Sequence, residues 1–214
     1  MNNMTKIWEI YRRLWQRKFW RWSLLEALLL LGCALTVNYF ASLYVDRVAG
    51  KYVNDLLLDN LPVVDVSLIL TLGTLIFGLF MLWIFFSRPQ SLAFALKSLA
   101  LFIVIRSVFI SLTHLGPIPE QVPIDSLQFL SLQVAGKDFF FSGHTGVPFL
   151  LALMFWQDRL VRGVALTISF VFGACVILGH FHYSIDVFAA FFITFTVFYL
   201  AKRFFPRDWQ LFTS

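Results

Sequence analysis

Six long apolar stretches, separated by short polar turns and two longer loops, leave this chain few ways to fold. They run approximately Ser23–Tyr44, Val66–Phe86, Leu92–Leu112, Phe139–Trp156, Val164–Gly179 and Tyr183–Leu200. A hydrocarbon layer of about 30 Å takes roughly 20 helical residues. The first three stretches are long enough, and the last three need help from flanking residues. Hydrophobic residues make up 59% of the chain and charged ones only 14%, against roughly a quarter charged in a soluble domain. The expected architecture is an all-α membrane protein, a six-transmembrane-helix bundle whose shorter spans shelter a polar pocket on one face. Cys33 and Cys175 both fall inside apolar segments and read as small packing residues.

The basic residues orient the bundle. Lys6, Arg12, Arg13, Arg17, Lys18 and Arg21 precede the first span. With that end cytoplasmic, Arg88, Arg159, Arg162, Lys202, Arg203 and Arg207 fall on the same side, and only Arg47, Lys51 and Lys137 fall opposite. This is a clear positive-inside bias. The net charge of +5 is then an orientation and lipid-surface signal, and nucleic acid is not an expected partner. The expectation is a multi-pass integral membrane protein with both termini cytoplasmic.

Trp8, Tyr11, Trp15 and Trp22 recur near helical period among the basic residues. Residues 1–22 therefore read as an interfacial amphipathic helix, 23–204 as the six-helix domain and 205–214 as a cytoplasmic tail. The long basic region, and Glu26 and Asn38 within the first apolar run, favour a retained helix over a cleaved signal peptide. The two longer loops, about 45–65 and 114–138, both fall on the outer side, where long loops commonly border a site.

All four histidines, His114, His144, His180 and His182, sit at the outer ends of expected helices. Ionisable groups beside spans are costly and tend to be functional. Ser142-Gly143-His144-Thr145 opens the fourth span, and His182-Tyr183-Ser184-Ile185-Asp186 opens the sixth. The roughly forty residues between them suffice to cross the membrane and return, so both lie on one side. His182 and Asp186 are four apart and share a helical face. A carboxylate on one imidazole nitrogen fixes the tautomer and leaves the other to attack phosphorus. Gly143 admits close approach, backbone N–H groups at the helix start favour an anion, and His144 can serve as general acid. Arg106, about 10 Å below the outer end of its helix, is the candidate cation for the phosphate oxygens. Lys137 lies close in sequence to the Ser-Gly-His turn, and Lys97 reads as a snorkelling anchor near the cytoplasmic side. No dense ligand cluster accompanies His180 and His182, so no metal and no cofactor is expected.

The stretches Lys137-Asp138-Phe139-Phe140-Phe141-Ser142-Gly143-His144-Thr145 and Gly179-His180-Phe181-His182-Tyr183-Ser184-Ile185-Asp186-Val187 resemble the two signature regions of the sphingomyelin synthases. Those enzymes belong to the wider type-2 phosphatidic acid phosphatase superfamily. Ile105-Arg106-Ser107 through Leu115-Gly116-Pro117-Ile118-Pro119 is also similar to their third-helix region. The resemblance implies a catalytic triad of His182 (nucleophile), His144 (acid) and Asp186 on the periplasmic, extracellular or lumenal side. Arg106, Ser142, Gly143, His180, Lys137, Asp138 and Tyr183 stand as the candidates for substrate binding. Phe181 occupies a position that is commonly acidic in the synthases, and Cys175 and Val176 replace the Ser-Arg of the wider superfamily. The expected partners are the membrane, a phospholipid donor, and a lipid or water acceptor; a homo-oligomer is left open. The expected reaction is transfer of a phosphoryl-alcohol headgroup to a lipid hydroxyl, with hydrolysis and non-catalytic lipid binding as the alternatives.

Overall fold

The computed structural model describes residues 3–119 and 140–213. Among them are eight α-helices and no strand: α1 (Asn3–Gln16), α2 (Lys18–Val48), α3 (Ser67–Ser87), α4 (Leu92–Leu112), α5 (Gly143–Met154), α6 (Arg159–Leu178), α7 (Ser184–Phe204) and α8 (Pro206–Thr213). A short 3-10 turn, Pro89–Ser91, leads into α4. Five helices are long and apolar enough to cross a membrane, and α5 is a shorter apolar helix. The outer faces of α2 and α3 carry exposed Leu28, Leu29, Leu35, Leu68, Leu72, Ile76, Leu79 and Trp83. Apolar patches of that extent are rare on proteins surrounded by water.

α2 buries one narrow seam, in which Ala27, Ala34 and Ala41 recur every seven residues and Trp20 and Val45 close the ends. Small side chains let backbones approach closely where lipid removes the hydrophobic drive for association, and this seam packs along α4. At the centre is α5, packed against α6 and α7. Its 12 residues span about 18 Å, too little to cross alone. Leu150 to Met154 are all buried, so protein, and not lipid, surrounds this helix. Gly146 makes the close approach possible: a Cβ there would lie 2.7 Å from the Phe102 ring of α4 and 2.9 Å from Thr194 Oγ1 of α7.

The structure adds detail to two of the expected segments and corrects the reading of Lys97. The amphipathic segment ends at Gln16, because Arg17 is extended (φ −79°, ψ 109°). Residues 18–22 instead begin the first long helix, and Trp20 turns inward with 1% exposure. Within the segment expected as a tail, α8 folds back onto α4, α7 and the Pro89–Ser91 turn. Lys97 is no snorkelling anchor, since it is 2% exposed. Its Nζ pairs with Glu26 Oε2 at 2.6 Å and Asp208 Oδ2 at 2.9 Å, and Ser23 Oγ donates to the other oxygen of Asp208. A lysine held this deep needs such partners, and they come from α2 and α8. α1 and α8 both pack on the Pro89–Ser91 turn, at the end of the bundle where α7 finishes, opposite His182.

Candidate active site

The site is assembled where three helix ends meet. The last turns of α6 close through Gly179, with Phe181 N–H donating to the Val176 carbonyl and His180 N–H to that of Ile177. This pair of bonds is the Schellman ending, which places the residue after the cap in the left-handed region and usually makes it glycine. Here that residue is His180, at φ 57°, the only non-glycine residue with positive φ among those described. Two residues on, the chain turns into α7. Tyr183 N–H donates to Asp186 Oδ2 at 3.1 Å, so the carboxylate covers an otherwise unpaired amide at the helix start.

The same carboxylate oxygen accepts from His182. Nδ1 of His182 is 3.3 Å from Asp186 Oδ2, and the side chain of Asp186 is wholly buried. With Nδ1–H directed at the carboxylate, the lone pair of His182 lies on Nε2. The other oxygen, Asp186 Oδ1, is buried without a hydrogen-bond partner among the described residues. α5 joins this assembly through its backbone, since Ser142 N–H donates to the Asp186 carbonyl at 3.1 Å. Ser142 Oγ caps α5 by accepting from Thr145 N–H, and Ser169 Oγ of α6 donates to the Thr145 carbonyl at 2.7 Å.

These contacts bring His144, on the first turn of α5, to the same end as His182. His144 is half-buried, packs edge-on against Phe172, and lies within the electrostatic reach of both His182 and Arg106. Its Nδ1 is buried and has no hydrogen-bond partner among the described residues. Pro148, inside α5, has no N–H to give the His144 carbonyl four residues earlier, so the backbone at this turn keeps an acceptor. Arg106 on α4 is 6% exposed, donates from Nε to the Phe141 carbonyl at 3.0 Å, and also acts electrostatically on Asp186. His144, His182, Asp186, Arg106, Ser142, Gly143, His180 and Tyr183 thus gather at one end of the bundle. Lys137 and Asp138 lie outside the described residues. His114 follows α4 at this end, with its ring beside Tyr44 and its carbonyl accepting from Gly50 N–H. Among the described residues no cluster of three or more His, Cys, Asp or Glu is arranged to hold a metal.

A strap of loop lies over this end. Asp55, which the sequence offers only as one of several loop acids, accepts from both the N–H (2.8 Å) and the Oγ (2.9 Å) of Ser184 at the start of α7. It also accepts from the amides of Leu57 and Leu58. Burial pushes its carboxyl up, but these donors outweigh burial and hold it below the usual carboxylate range. Tyr183 stacks on Tyr52 and donates to the Gly116 carbonyl at 2.8 Å. Tyr52 in turn donates to Asp59; that bond, with some burial, pushes its phenol up to about 12. The only hint of this in the sequence was the length of the loop.

Residues 137–203 match the family model described as PAP2 superfamily C-terminal. The match takes in His144, His182 and Asp186 and about a third of the chain. It supports the superfamily and does not reach the finer sphingomyelin synthase resemblance. No curated protein and no solved structure gives a match to the chain.

Proposed function

We propose that this protein is a membrane-embedded phosphotransferase that moves a phosphoryl-alcohol headgroup from a phospholipid to the hydroxyl of a second lipid. The observation that carries the reading is the His182–Asp186 contact at the mouth of α7, in a site that His144 and Arg106 share. In the first step His182 Nε2 attacks phosphorus. The bond from phosphorus to the donor lipid's oxygen breaks, and that oxygen takes a proton from His144, a contribution of about 10² to 10⁴ in rate. Asp186 stabilises the cationic phosphohistidine through Nδ1–H. In the second step neutral His144 takes the proton of the acceptor hydroxyl, whose oxygen attacks phosphorus. The nitrogen–phosphorus bond breaks and its electron pair returns to His182. Arg106 balances charge on the phosphoryl oxygens through both steps. The basic residues at the far end favour that end as cytoplasmic, with the histidines on the outer or lumenal face.

The test is purified protein with a phospholipid labelled in its headgroup and a lipid alcohol. Transfer yields a new lipid carrying the label. Hydrolysis, the second outcome, yields water-soluble phosphate or phosphoryl-alcohol and would replace the transferase reading with a phosphatase-like one. Loss of both products in His182→Ala is expected; unchanged turnover would remove the histidine nucleophile.

A further inference from the structure

At the end of the bundle opposite His182 lies a half-open cavity of about 720 Å³, bordered by the Pro89–Ser91 turn, the C-terminal end of α5, the last turns of α7, and α8. Its walls mix aromatic rings with polar side chains, and its charge is uneven. The Arg88 guanidinium in the wall is matched by Asp158. Lys202 is different: no carboxylate pairs with it among the described residues, and its Nζ lies over the rings of Trp209 (4.9 Å), Phe198 (5.3 Å) and Tyr199 (5.4 Å). A lysine at a span's end ordinarily extends outward to headgroups. Here its neighbour Arg203 is the exposed residue, and Lys202 is held inward by the rings. Gln90 lines the same cavity, and its Oε1 is buried with no hydrogen-bond partner among the described residues.

The geometry points to a second lipid site, built to hold an anionic phospholipid with a hydroxyl-bearing headgroup. The rings attract one side of the ammonium and leave its other N–H bonds for phosphate oxygens. A headgroup hydroxyl supplies the donor that Gln90 Oε1 lacks. Acyl chains then run along the apolar walls, which water would fill poorly. Basic pockets between spans are suited to anionic headgroups in this way. The site is separated from the candidate active site by the length of α7, 21 residues or about 30 Å. It is therefore a place for a resident lipid and not for a reacting one.

The experiment is native mass spectrometry of the full chain in mild detergent, titrated separately with phosphatidylglycerol, phosphatidic acid, phosphatidylcholine and soluble glycerol phosphate. Retention of phosphatidylglycerol at least about tenfold above phosphatidylcholine is expected, with no retention of glycerol phosphate. Lys202→Ala should remove that preference and Lys202→Arg should keep it. Gln90→Leu, a milder change, should weaken phosphatidylglycerol and leave phosphatidic acid unaffected. Equal retention of phosphatidylcholine, binding of glycerol phosphate alone, or full retention in Lys202→Ala would overturn the site. So would a preference lost in Arg106→Ala and kept in Lys202→Ala, because the lipid would then be seated among the histidines. Circular dichroism of each variant verifies that the bundle is intact.

Discussion

His182 and Asp186 meet because the Asp186 carboxylate reaches back over the helix start, to the Tyr183 amide and His182 Nδ1 alike. His182 itself lies ahead of α7, whose cap Tyr183 is extended, so the two do not share a helical face as their spacing suggests. Their division of labour has a kinetic signature. Asp186→Asn keeps the shape of the contact but weakens both tautomer control and stabilisation of the charged imidazole. Turnover should fall by about 10² to 10⁴ with little change in KM, measured as initial rates on labelled phospholipid. A KM effect alone would move Asp186 from chemistry to binding. His180 is the residue whose conformation no spacing could have revealed. A left-handed backbone costs a side-chain-bearing residue about 1 kcal/mol or more, and glycine is the usual occupant of that position. His180→Gly should therefore raise the melting temperature while lowering turnover, if the imidazole contributes to the substrate end of the site. A variant that is both more stable and fully active would leave His180 as a folding feature alone.

α4 was legible to the residue, Leu92–Leu112, because Arg88-Pro89-Gln90 stops the preceding helix and its apolar run ends cleanly at Thr113. α5 was not. Its sequence reads as an eighteen-residue span from Phe139, yet the helix starts at the Ser142 cap and is sheathed by α4, α6 and α7. Apolar composition does not distinguish a helix bathed in lipid from one enclosed by protein. Gly146→Val should cost about 1–3 kcal/mol by overpacking against Phe102 and Thr194, visible as a lowered melting temperature in detergent. The strap over α7 was hidden for another reason: Asp55 and Ser184 are 129 positions apart. Asp55→Ala should loosen the start of α7 and lower both stability and turnover. Because the folded carboxyl titrates below its ordinary value, its stabilisation is complete above about pH 4 and is lost as pH falls through the lowered folded value. The difference in melting temperature between wild type and Asp55→Ala should stay constant from pH 7 to 5 and shrink only below about pH 4.

Across the whole molecule, the polar contacts are concentrated at the two ends, with histidines and the strap at one and the Lys97 cluster at the other. The six-segment outline and the grouping of histidine-bearing ends followed from hydropathy alone. The Lys97 cluster did not, because Glu26 and Asp208 lie 71 and 111 positions away and an intramembrane lysine looks the same in sequence whether it snorkels or pairs. Removing one member leaves buried charge uncompensated, so Lys97→Met should destabilise by about 3–5 kcal/mol. Lys97→Met combined with Asp208→Leu should recover much of that, as judged by thermal unfolding in detergent. The cluster also imposes an order on biogenesis. A ribosome delivers Glu26 and Lys97 to the bilayer well before Asp208 exists, so during synthesis the ammonium has only a half-exposed glutamate for company. α8 supplies the second carboxylate, so the cluster closes only after α2 to α7 have already been made.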